Sequence, residues 1–373
     1  MRVALDARHA GRGLGIANFL SCLARELVAL GDVELIWLGD PKLAPETGAR
    51  SVPVGHLPYP MLDGPLGRAL ARRLRPDVIH FTGNTGWGRP GPVPSVLTIQ
   101  DLIFMAAAGR GRSARQVVGH AYEHWLIPRA ARAADILAVS SETIAGQVRT
   151  QLGGELTPRV VPYGVATPPA TARGPHAAPY LLAFAGRDPR KRTADVVAAW
   201  RALAAGGTDA PPLALELRLL AAAGLPPSLR KSLGPDIARG SVVILEHVPR
   251  ERVWSELAGA TALAYPSTDE GFGLPVLEGM AAGTPVLSGL APATREVGGE
   301  AIVKLDPRDI SGSIAAAVRR VHADPRHARA IADRGRARAA TFTWRRTAEG
   351  YRDLYREAIA GRDQARPGRT VRH

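Results

Sequence analysis

The sequence predicts an α/β protein made of two doubly wound domains, and three observations support this fold class. Short apolar segments alternate with helical segments along the chain, a pattern typical of parallel sheets covered by helices. The length of 373 residues exceeds one ordinary hydrophobic core. A Pro/Gly-rich segment at 167–175 interrupts the pattern near the middle and is the best linker candidate. We therefore predict domains at 1–168 and 176–343, followed by a C-terminal segment at 344–373.

The first domain is predicted from buried-strand patterns separated by helices. Leucines at positions 20, 23, 27 and 30 recur at helical spacing after Gly15 and predict the first helix. A second helix is expected at 115–134, and the hydroxyl side chains at 140–143 are typical of a helix start. The predicted strands are 3–5, 35–38, 77–80, 96–99 and 136–139.

The second domain repeats the alternation of strands and helices. Strands are predicted at 180–185, 213–220, 242–245, 262–265 and 285–288. Helices are predicted near 192–205, 250–258, 275–282, 309–322, 325–340 and 344–360. The last helix is a candidate to cross back to the first domain, and the basic tail at 361–373 is expected to be disordered. Because ligands of doubly wound sheets bind at the carboxyl ends of the strands, we expect a ligand cleft between the domains.

Composition narrows the class of function. The formal net charge is +14, which favours phosphate-bearing ligands or solvated basic helix faces. Scattered basic residues, 5% aromatic content and the lack of a recognised motif argue against nucleic acid. A single cysteine, Cys22, excludes an intrachain disulfide and a cysteine metal cluster. No signal peptide or apolar run near 18 residues is evident, so we expect a cytoplasmic protein, with peripheral contact to the inner membrane face left open. The sequence indicates no oligomeric state.

The segment Glu270–Val286 carries the strongest functional pattern. Glu270 and Glu278 flank a Gly-Phe-Gly turn, Gly271 to Gly273, that enters an apolar helix at Leu274. A glycine turn at a helix start collects free backbone N–H groups and the positive end of the helix dipole, which suits a phosphate. Carboxylates accept hydrogen bonds from sugar hydroxyls. The pattern therefore predicts a site for a phosphorylated sugar.

This segment resembles the E-x7-E signature of the retaining glycosyltransferases of family four, which have the GT-B fold. The resemblance is closest to the mannosyltransferase-like group. It implies that Glu270 contacts the donor sugar and that Glu278 holds the nucleotide ribose. It also implies that the backbone of Gly271, Phe272, Gly273 and Leu274 holds the diphosphate.

A second basic motif, Gly186 to Arg192, follows the strand at 180–185. It resembles the phosphate motif of the same family, which assigns Arg187 and Lys191 to the departing diphosphate, where positive charge is an effective catalytic contribution. The spacing is one residue shorter than usual between Gly186 and Lys191. Which of the two cations meets which phosphate oxygen is left open, and a solvated basic loop is the alternative.

Four further positions are assigned through the resemblance. Gly15 belongs to a glycine loop at 13–17 that borders the donor phosphate in the family, although an ordinary strand-to-helix turn explains it equally well. Gln100 replaces the family histidine before Asp101; both are expected near the acceptor or the reacting sugar, with a capping role as the alternative for Asp101. His80 is expected on the acceptor side or as a satisfied core histidine. Val248 lies in a loop whose backbone is expected to meet the nucleotide base.

These assignments predict transfer of a hexosyl group from a nucleoside diphosphate sugar to an acceptor hydroxyl, with retention. GDP-mannose is slightly preferred as the donor, and a UDP-sugar is the alternative. Candidate acceptors are a polysaccharide, a lipid-linked sugar or a secondary metabolite. No bound cofactor and no metal are expected, because no Asp-x-Asp motif or histidine cluster is present.

Other functions are weighed against this prediction. A non-catalytic subunit of the same fold, which binds a partner enzyme or a glycan, is the main alternative. A phosphorylase would need a lysine for pyridoxal phosphate, and only four lysines are present. A dehydrogenase is disfavoured because Asn18 stands where the G-x-G-x-x-G fingerprint needs its third glycine.

Overall fold

The computed structural model describes residues 1–11, 14–54, 59–106, 114–169, 178–206 and 211–364. Gly13 of the first glycine loop, residues 170–175 of the predicted linker and the tail after residue 364 lie outside these ranges.

The strands are short, and most of them are buried on both faces, as expected for a parallel sheet covered by helices. They are β1 Arg2–Asp6, β2 Glu34–Leu38, β3 Arg50–Val52, β4 Val78–Phe81, β5 Ser95–Ile99, β6 Ile136–Val139, β7 Arg159–Val160, β8 Tyr180–Phe184, β9 Glu216–Leu220, β10 Val242–Leu245, β11 Ala262–Ala264, β12 Val286–Ser288 and β13 Val303–Lys304.

The helices that follow the strands vary from single turns to long amphipathic helices. They are α1 Leu14–Ala29, α2 Tyr59–Leu62, α3 Pro65–Leu74, α4 Ile103–Ala106, α5 Ala114–Ala133, α6 Glu142–Leu152, α7 Thr193–Ala205, α8 Pro227–Ser232, α9 Gly234–Ala238, α10 Arg250–Gly259, α11 Leu274–Ala282, α12 Pro292–Gly298, α13 Ile310–Ala323, α14 Pro325–Ala339 and α15 Trp344–Gln364. Among the described helices, none is long and apolar enough to cross a membrane.

The chain divides into two compact units. Unit 1 comprises Met1–Gly164 together with the segment that begins at Thr343, and unit 2 comprises Val165–Phe342. The strand order in unit 1 is β3-β2-β1-β4-β5-β6-β7, and in unit 2 it is β10-β9-β8-β11-β12-β13. Every pairing between these strands is parallel.

Each sheet has a topological switch point, where successive crossovers turn to opposite sides. In unit 1, β1 lies between β2 and β4, so the switch point is between β1 and β4. In unit 2, β8 lies between β9 and β11, where Leu181 is in register with Leu217 on one side and Ala262 on the other. Loops that leave adjacent strands at a switch point separate to opposite faces and leave a crevice for ligands. These two positions are therefore the places to look for a site.

The last helix, α15, packs within unit 1, against α1 and strands β4 and β5. Its buried Tyr351 and Tyr355 reach the sheet: the Tyr351 hydroxyl lies 3.0 Å from Thr98 Oγ1. The start of α15 approaches Gly164 so closely that a Cβ on Gly164 would lie 2.1 Å from the Trp344 nitrogen. Glycine is therefore required where the two segments of unit 1 meet.

Candidate active site

The loops after β8 and β11 meet at the switch point of unit 2. Because these strands are parallel neighbours, their carboxyl ends lie at one edge of the sheet. The loop after β8 carries the basic motif, and the loop after β11 carries Glu270 and leads into α11. The two strongest sequence motifs are thus adjacent in space, as the fold requires.

Glu270 belongs to a three-membered hydrogen-bonded cluster. Its Oε1 accepts hydrogen bonds from Lys191 Nζ at 2.7 Å and from the Tyr265 hydroxyl at 2.6 Å, and Lys191 also donates to Tyr265 at 2.7 Å. Tyr265 is 1% exposed. Burial and the neighbouring negative charge of Glu270 raise the pKa of Tyr265 well above its usual value, so the phenol stays protonated and donates. The cluster fixes the orientation of the Glu270 carboxylate.

Glu278 lies on α11 and is paired with a cation that follows another strand. Its side chain is 4% exposed, and its Oε1 accepts a hydrogen bond from Arg250 at 2.5 Å. Burial raises the pKa of Glu278, and the adjacent Arg250 guanidinium opposes that rise. Arg250 is the first residue of α10. The pair therefore joins the loop after β10 to α11.

The start of α11 presents backbone N–H groups beside Glu270. Gly273 has φ of 103° and caps the helix in the left-handed region, which favours glycine. A Cβ on Gly273 would lie 3.0 Å from Thr294 Cγ2, so a side chain is disfavoured by contact as well. Phe272 is buried and packs edge-on against Phe342 with ring centroids 6.1 Å apart. This packing anchors the turn whose backbone was predicted to hold a diphosphate.

The basic motif after β8 is shaped by a short 3-10 turn, Pro189–Lys191, capped by Asp188. Arg190 bonds to Asp188 and donates to the carbonyl of Asp269 at 2.8 Å, which ties this loop to the residue before Glu270. Arg187 is exposed, and its side chain has no hydrogen bond or ion pair with any residue that the structure describes. Lys191 thus faces Glu270, and Arg187 is a cation available to a ligand.

Val248, predicted to meet a nucleotide base through its backbone, lies in the loop between β10 and α10. The preceding His247 has φ of 52°, an uncommon backbone conformation for a residue other than glycine. Arg250, two residues after Val248, contacts Glu278. The loop is therefore linked directly to one of the two predicted donor carboxylates.

In unit 1, Gln100 and Asp101 are engaged in local hydrogen bonds. Gln100 Nε2 donates to the Thr82 carbonyl at 2.8 Å, and its Oε1 accepts from the Tyr163 hydroxyl at 2.5 Å. Asp101 Oδ1 accepts from the Ile103 backbone at the start of α4, at 3.1 Å. Both residues follow β5, at the carboxyl edge of the unit 1 sheet. The Gln100 side chain holds this edge together, and Asp101 has the capping geometry considered as its alternative role.

His80 was expected either on the acceptor side or as a satisfied core histidine, and its surroundings are those of the second alternative. It is 0% exposed, its Nδ1 lies 2.8 Å from the Tyr355 hydroxyl and its Nε2 lies 2.7 Å from Thr98 Oγ1. Burial lowers the pKa of His80 to about 3, so the ring is neutral. Both ring nitrogens have partners in the core. His80 therefore has the environment of a core histidine beneath α15.

Gly15 is the second residue of α1, so its backbone is helical and does not form part of a loop. It is exposed, and a Cβ there would meet no atom within 4 Å. That Gly15 borders the donor phosphate therefore stays a prediction.

Sequence reasoning missed a buried ionic cluster at the switch point of unit 1. The Arg8 guanidinium bridges Asp6, which ends β1, at 2.6 Å and Asp63 at 2.8 Å. Tyr122 donates to the other oxygen of Asp63 at 3.2 Å. Burial raises the pKa of Asp63 to about 6, against the lowering effect of Arg8. The available signal was Asp6 and Arg8 directly after a buried strand; the position of Asp63 carried none.

Other partners that sequence reasoning missed are Tyr265 and Arg250, which hold the two glutamates. The sequence pattern predicts Tyr265 only as the end of a strand and Arg250 only as the start of a helix. Among the described residues, no group of three or more His, Cys, Asp or Glu side chains is arranged to hold a metal ion.

Comparison with known proteins assigns both units. Residues 14–168 match the family described as Glycosyltransferase Family 4, and residues 179–324 match the family described as Glycosyl transferases group 1. Glycogen synthase of Mycobacterium tuberculosis is 30% identical over 323 residues, covering 79% of this chain and 72% of that protein. D-inositol 3-phosphate glycosyltransferase of Acidothermus cellulolyticus is 30% identical over 428 residues, covering 98% and 92%.

Solved structures agree in fold. Sucrose-phosphate synthase of Thermosynechococcus elongatus superposes with a TM-score of 0.73 at 19% identity, covering 97% of this chain and 100% of that one. HepE of Anabaena, solved in complex with UDP-glucose, has a TM-score of 0.64 at 16% identity, covering 98% and 100%. The two-Rossmann-domain GT-B architecture predicted from the sequence is confirmed.

Proposed function

The chain belongs to the family four glycosyltransferases of GT-B fold, and from that premise we propose that it transfers a hexosyl group from a nucleoside diphosphate sugar to an acceptor hydroxyl with retention. The observation that carries the proposal is the pair of glutamates at the switch point of unit 2, each held by a cation. Glu270 is bonded to Lys191, and Glu278 is bonded to Arg250. A carboxylate fixed by such partners is preorganised to accept hydroxyl hydrogen bonds.

In the proposed reaction, each part of the donor has its own group of residues. Glu270 accepts hydrogen bonds from the hexose, and Glu278 accepts them from the ribose. Arg187, Lys191 and the backbone at 271–274 bind the diphosphate and stabilise the charge that develops as it leaves. The bond from the anomeric carbon to the phosphate oxygen breaks, the bond to the acceptor oxygen forms, and the acceptor proton passes to the departing phosphate. No protein nucleophile is needed.

The nucleotide and the sugar belong to the proposal as well. The slight preference for GDP-mannose gains no support from the comparisons, because the solved neighbours named with a nucleotide sugar contain UDP-glucose or UDP-2-fluoro glucose. A UDP-sugar donor is therefore tested on equal terms, with the loop containing Val248 placed near the base. We retain metal independence, a cytoplasmic location and peripheral membrane contact as proposals. Asp101 and Gln100 are proposed to border the acceptor side.

The test is calorimetric titration of GDP, UDP, ADP and dTDP into the wild-type protein, Glu278→Ala and Glu300→Ala. We expect one nucleotide to bind, and the Glu278→Ala variant to weaken it by about 1–3 kcal/mol because a charged hydrogen-bond partner is lost. Glu300 is an exposed glutamate paired with Lys304, so its variant controls for loss of one negative charge. A parallel titration in EDTA tests metal independence.

Two results would contradict the proposal: none of the four nucleotides binds, or the Glu278→Ala variant binds the nucleotide as tightly as the wild-type protein. Either result removes the donor-site assignment. It favours the non-catalytic subunit, for which Gln100 in place of the family histidine and the shortened loop at 186–191 are the motivating features.

A further inference from the structure

Unit 1 contains a wide groove that the proposed donor chemistry does not use. The groove lies between α3 and α5, beside the loop that follows β4, and its volume is about 730 Å³. This is within the range of roughly 300–1,000 Å³ that is usual for small-molecule sites. The groove is large enough for a sugar with a charged substituent.

Positive charge dominates the walls of the groove. Among the residues that the structure describes, four arginines line it, namely Arg68, Arg72, Arg89 and Arg129. Arg72 and Arg89 are exposed, and neither side chain has a hydrogen bond or ion pair with any residue in the described ranges. Arg68 is held in place by the carbonyls of Arg89 and Pro90, at 2.8 and 2.9 Å. Guanidinium groups bind phosphate through paired hydrogen bonds, so the walls suit a phosphate.

An aromatic ring lies on the same groove. Trp125 is 53% exposed, although large aromatic side chains are usually well buried. The Arg129 guanidinium lies 4.7 Å from its ring centroid, and Arg129 donates to the Trp125 carbonyl at 2.7 Å. These contacts hold the ring in one orientation and leave part of it open to a ligand.

A carboxylate and a phenol line the buried part of the groove. Asp63 is the acidic residue among the described side chains that line the groove; its side chain is 1% exposed, and it is paired with Arg8. Tyr122 also lines the groove and donates to Asp63. A buried carboxylate held by two donors has further lone pairs that accept hydrogen bonds from sugar hydroxyls. The groove thus combines phosphate-binding walls with a hydroxyl-binding group.

We propose that this groove binds the acceptor, and that the acceptor is a sugar carrying a phosphate group. The inference rests on the proposed transfer reaction and specifies the substrate class of its acceptor. Arg72 and Arg89 bind the phosphate. The Trp125 ring contacts an apolar face of the sugar, and Asp63 accepts a hydrogen bond from one of its hydroxyls. The concave shape and the buried carboxylate favour a discrete sugar phosphate over a lipid surface, which would be met by a flat or convex patch.

The test measures ligand binding to the full-length protein by tryptophan fluorescence and calorimetry. The ligands are glucose 6-phosphate, mannose 6-phosphate, inositol phosphate, glucose and inorganic phosphate. The variants are Arg72→Gln, Arg89→Gln and Trp125→Ala, with Arg73→Gln as the matched control. Arg73 is an exposed arginine on the same helix that does not line the groove. Vesicles of phosphatidylcholine with phosphatidylglycerol form a separate arm.

We expect at least one sugar phosphate to bind more tightly than glucose or inorganic phosphate. The Arg72→Gln and Arg89→Gln variants should each weaken it by about ten- to hundredfold, as loss of a charged hydrogen bond predicts, while Arg73→Gln leaves it unchanged. Equal binding by Arg72→Gln and wild type, no binding of any sugar phosphate, or Arg72-dependent binding of vesicles alone would each overturn the inference. Nucleotide titration of the same samples separates this failure from failure of the donor site.

Discussion

Lys191 is already engaged by Glu270 and Tyr265 before any donor arrives. A diphosphate that binds beside it has to share this ammonium group with the carboxylate. Lysine has three donors on a flexible stem, so it can keep Glu270 and gain a phosphate oxygen together. Arg187, which has no such engagement within the described part of the chain, is the cation that a ligand meets without breaking an existing bond. The two cations therefore contribute in different ways.

Replacing Lys191 with Met tests this role. We expect kcat to fall by about a hundred- to a thousandfold, because a positive charge directed at the departing diphosphate is lost. The measurement is steady-state kinetics with the nucleotide sugar identified by titration. Lys231→Met, at an exposed position of α8, is the matched control and should retain full activity. An unchanged kcat in Lys191→Met would remove the lysine from the chemistry.

The buried His80 predicts that the free energy of unfolding depends on pH. Its folded pKa of about 3 lies below the ordinary value of 6.5, so the unfolded chain binds the extra proton between these two values. Stability from this group is therefore complete above pH 6.5 and decreases as the pH falls through that window. At pH 5 the loss is about 2 kcal/mol, since one pKa unit corresponds to about 1.4 kcal/mol.

The measurement is urea unfolding of wild type, His80→Gln and His322→Gln at pH 7 and pH 5. The His80→Gln variant loses buried hydrogen bonds and should be less stable at pH 7, but its deficit should shrink by about 2 kcal/mol at pH 5. His322 is exposed on α13, and its variant should show no such difference. A deficit that is the same at both pH values would contradict a neutral buried ring.

The residues of the site were predicted unevenly from the sequence. Glu270 and Glu278 lie in one short motif whose glycine turn marks a helix start, so the local pattern together with the family resemblance singled them out. Arg250 and Tyr265, which hold them, became recognisable only once the sheet order placed β8, β10 and β11 at one edge. For His80, the sequence left a ligand role and a core role open, because the covering side chain, Tyr355, is distant in the chain.

At the scale of elements, the start of α11 is constrained by both its backbone conformation and its packing. The left-handed Gly273 has to let the chain turn from the Glu270 loop into the helix, and Thr294 fills the space beside it. The Phe272 ring in the same turn is buried and packs against Phe342. The backbone direction at this point is therefore set by packing as well as by glycine.

Gly273→Ala should reduce both stability and nucleotide binding. A non-glycine residue in this conformation costs about 1–3 kcal/mol, and the added Cβ pushes against Thr294. Thermal unfolding with and without the nucleotide measures both effects. Gly234→Ala, at the start of α9 where a Cβ would meet no atom within 4 Å, is the control and should be close to neutral. Full nucleotide binding by Gly273→Ala would show that this backbone does not meet the ligand.

Elements with a strong apolar pattern were predicted well, and marginal elements were not. The strands Ile136–Val139 and Val242–Leu245 have the predicted bounds. β9 was predicted from residue 213 but begins at Glu216, because Leu213 instead bonds back to the end of α7 through Leu203. The short strands β3, β7 and β13 were missed. They have two or three residues each and little apolar character, so their pairing depends on neighbours that are distant in the chain.

At the scale of the molecule, unit 1 is built from two separate parts of the chain. The sheet and its other helices come from residues 1–164. Helix α15, which follows unit 2 in the sequence, completes the unit. The contact is polar as well as apolar, since Tyr351 and Tyr355 bond to Thr98 and His80. Removing α15 would leave these polar groups without their hydrogen-bond partners, which costs free energy of folding. The α15 helix is thus an integral part of the core.

A chain that ends at Phe342 tests the importance of α15. We expect loss of hydrogen-exchange protection in α1, β4 and β5, because the helix that covers them is absent and their apolar surface meets water. A chain that ends at Gln364 keeps α15 and is the control. Protection in β4 that survives in the shorter chain would show that unit 1 is stable without its last helix.

Because unit 1 is made of two separate segments of the chain, its folding during translation is delayed relative to that of unit 2. The first 164 residues emerge first but cannot close their core, because α15 is translated only after all of Val165–Phe342. At about 5–20 residues per second, that interval is on the order of ten to forty seconds. Unit 2, which is continuous, is able to fold while the earlier segment still waits. Nascent unit 1 therefore exposes the surface beneath α15 for longest, and this is the surface that a ribosome-associated chaperone would protect.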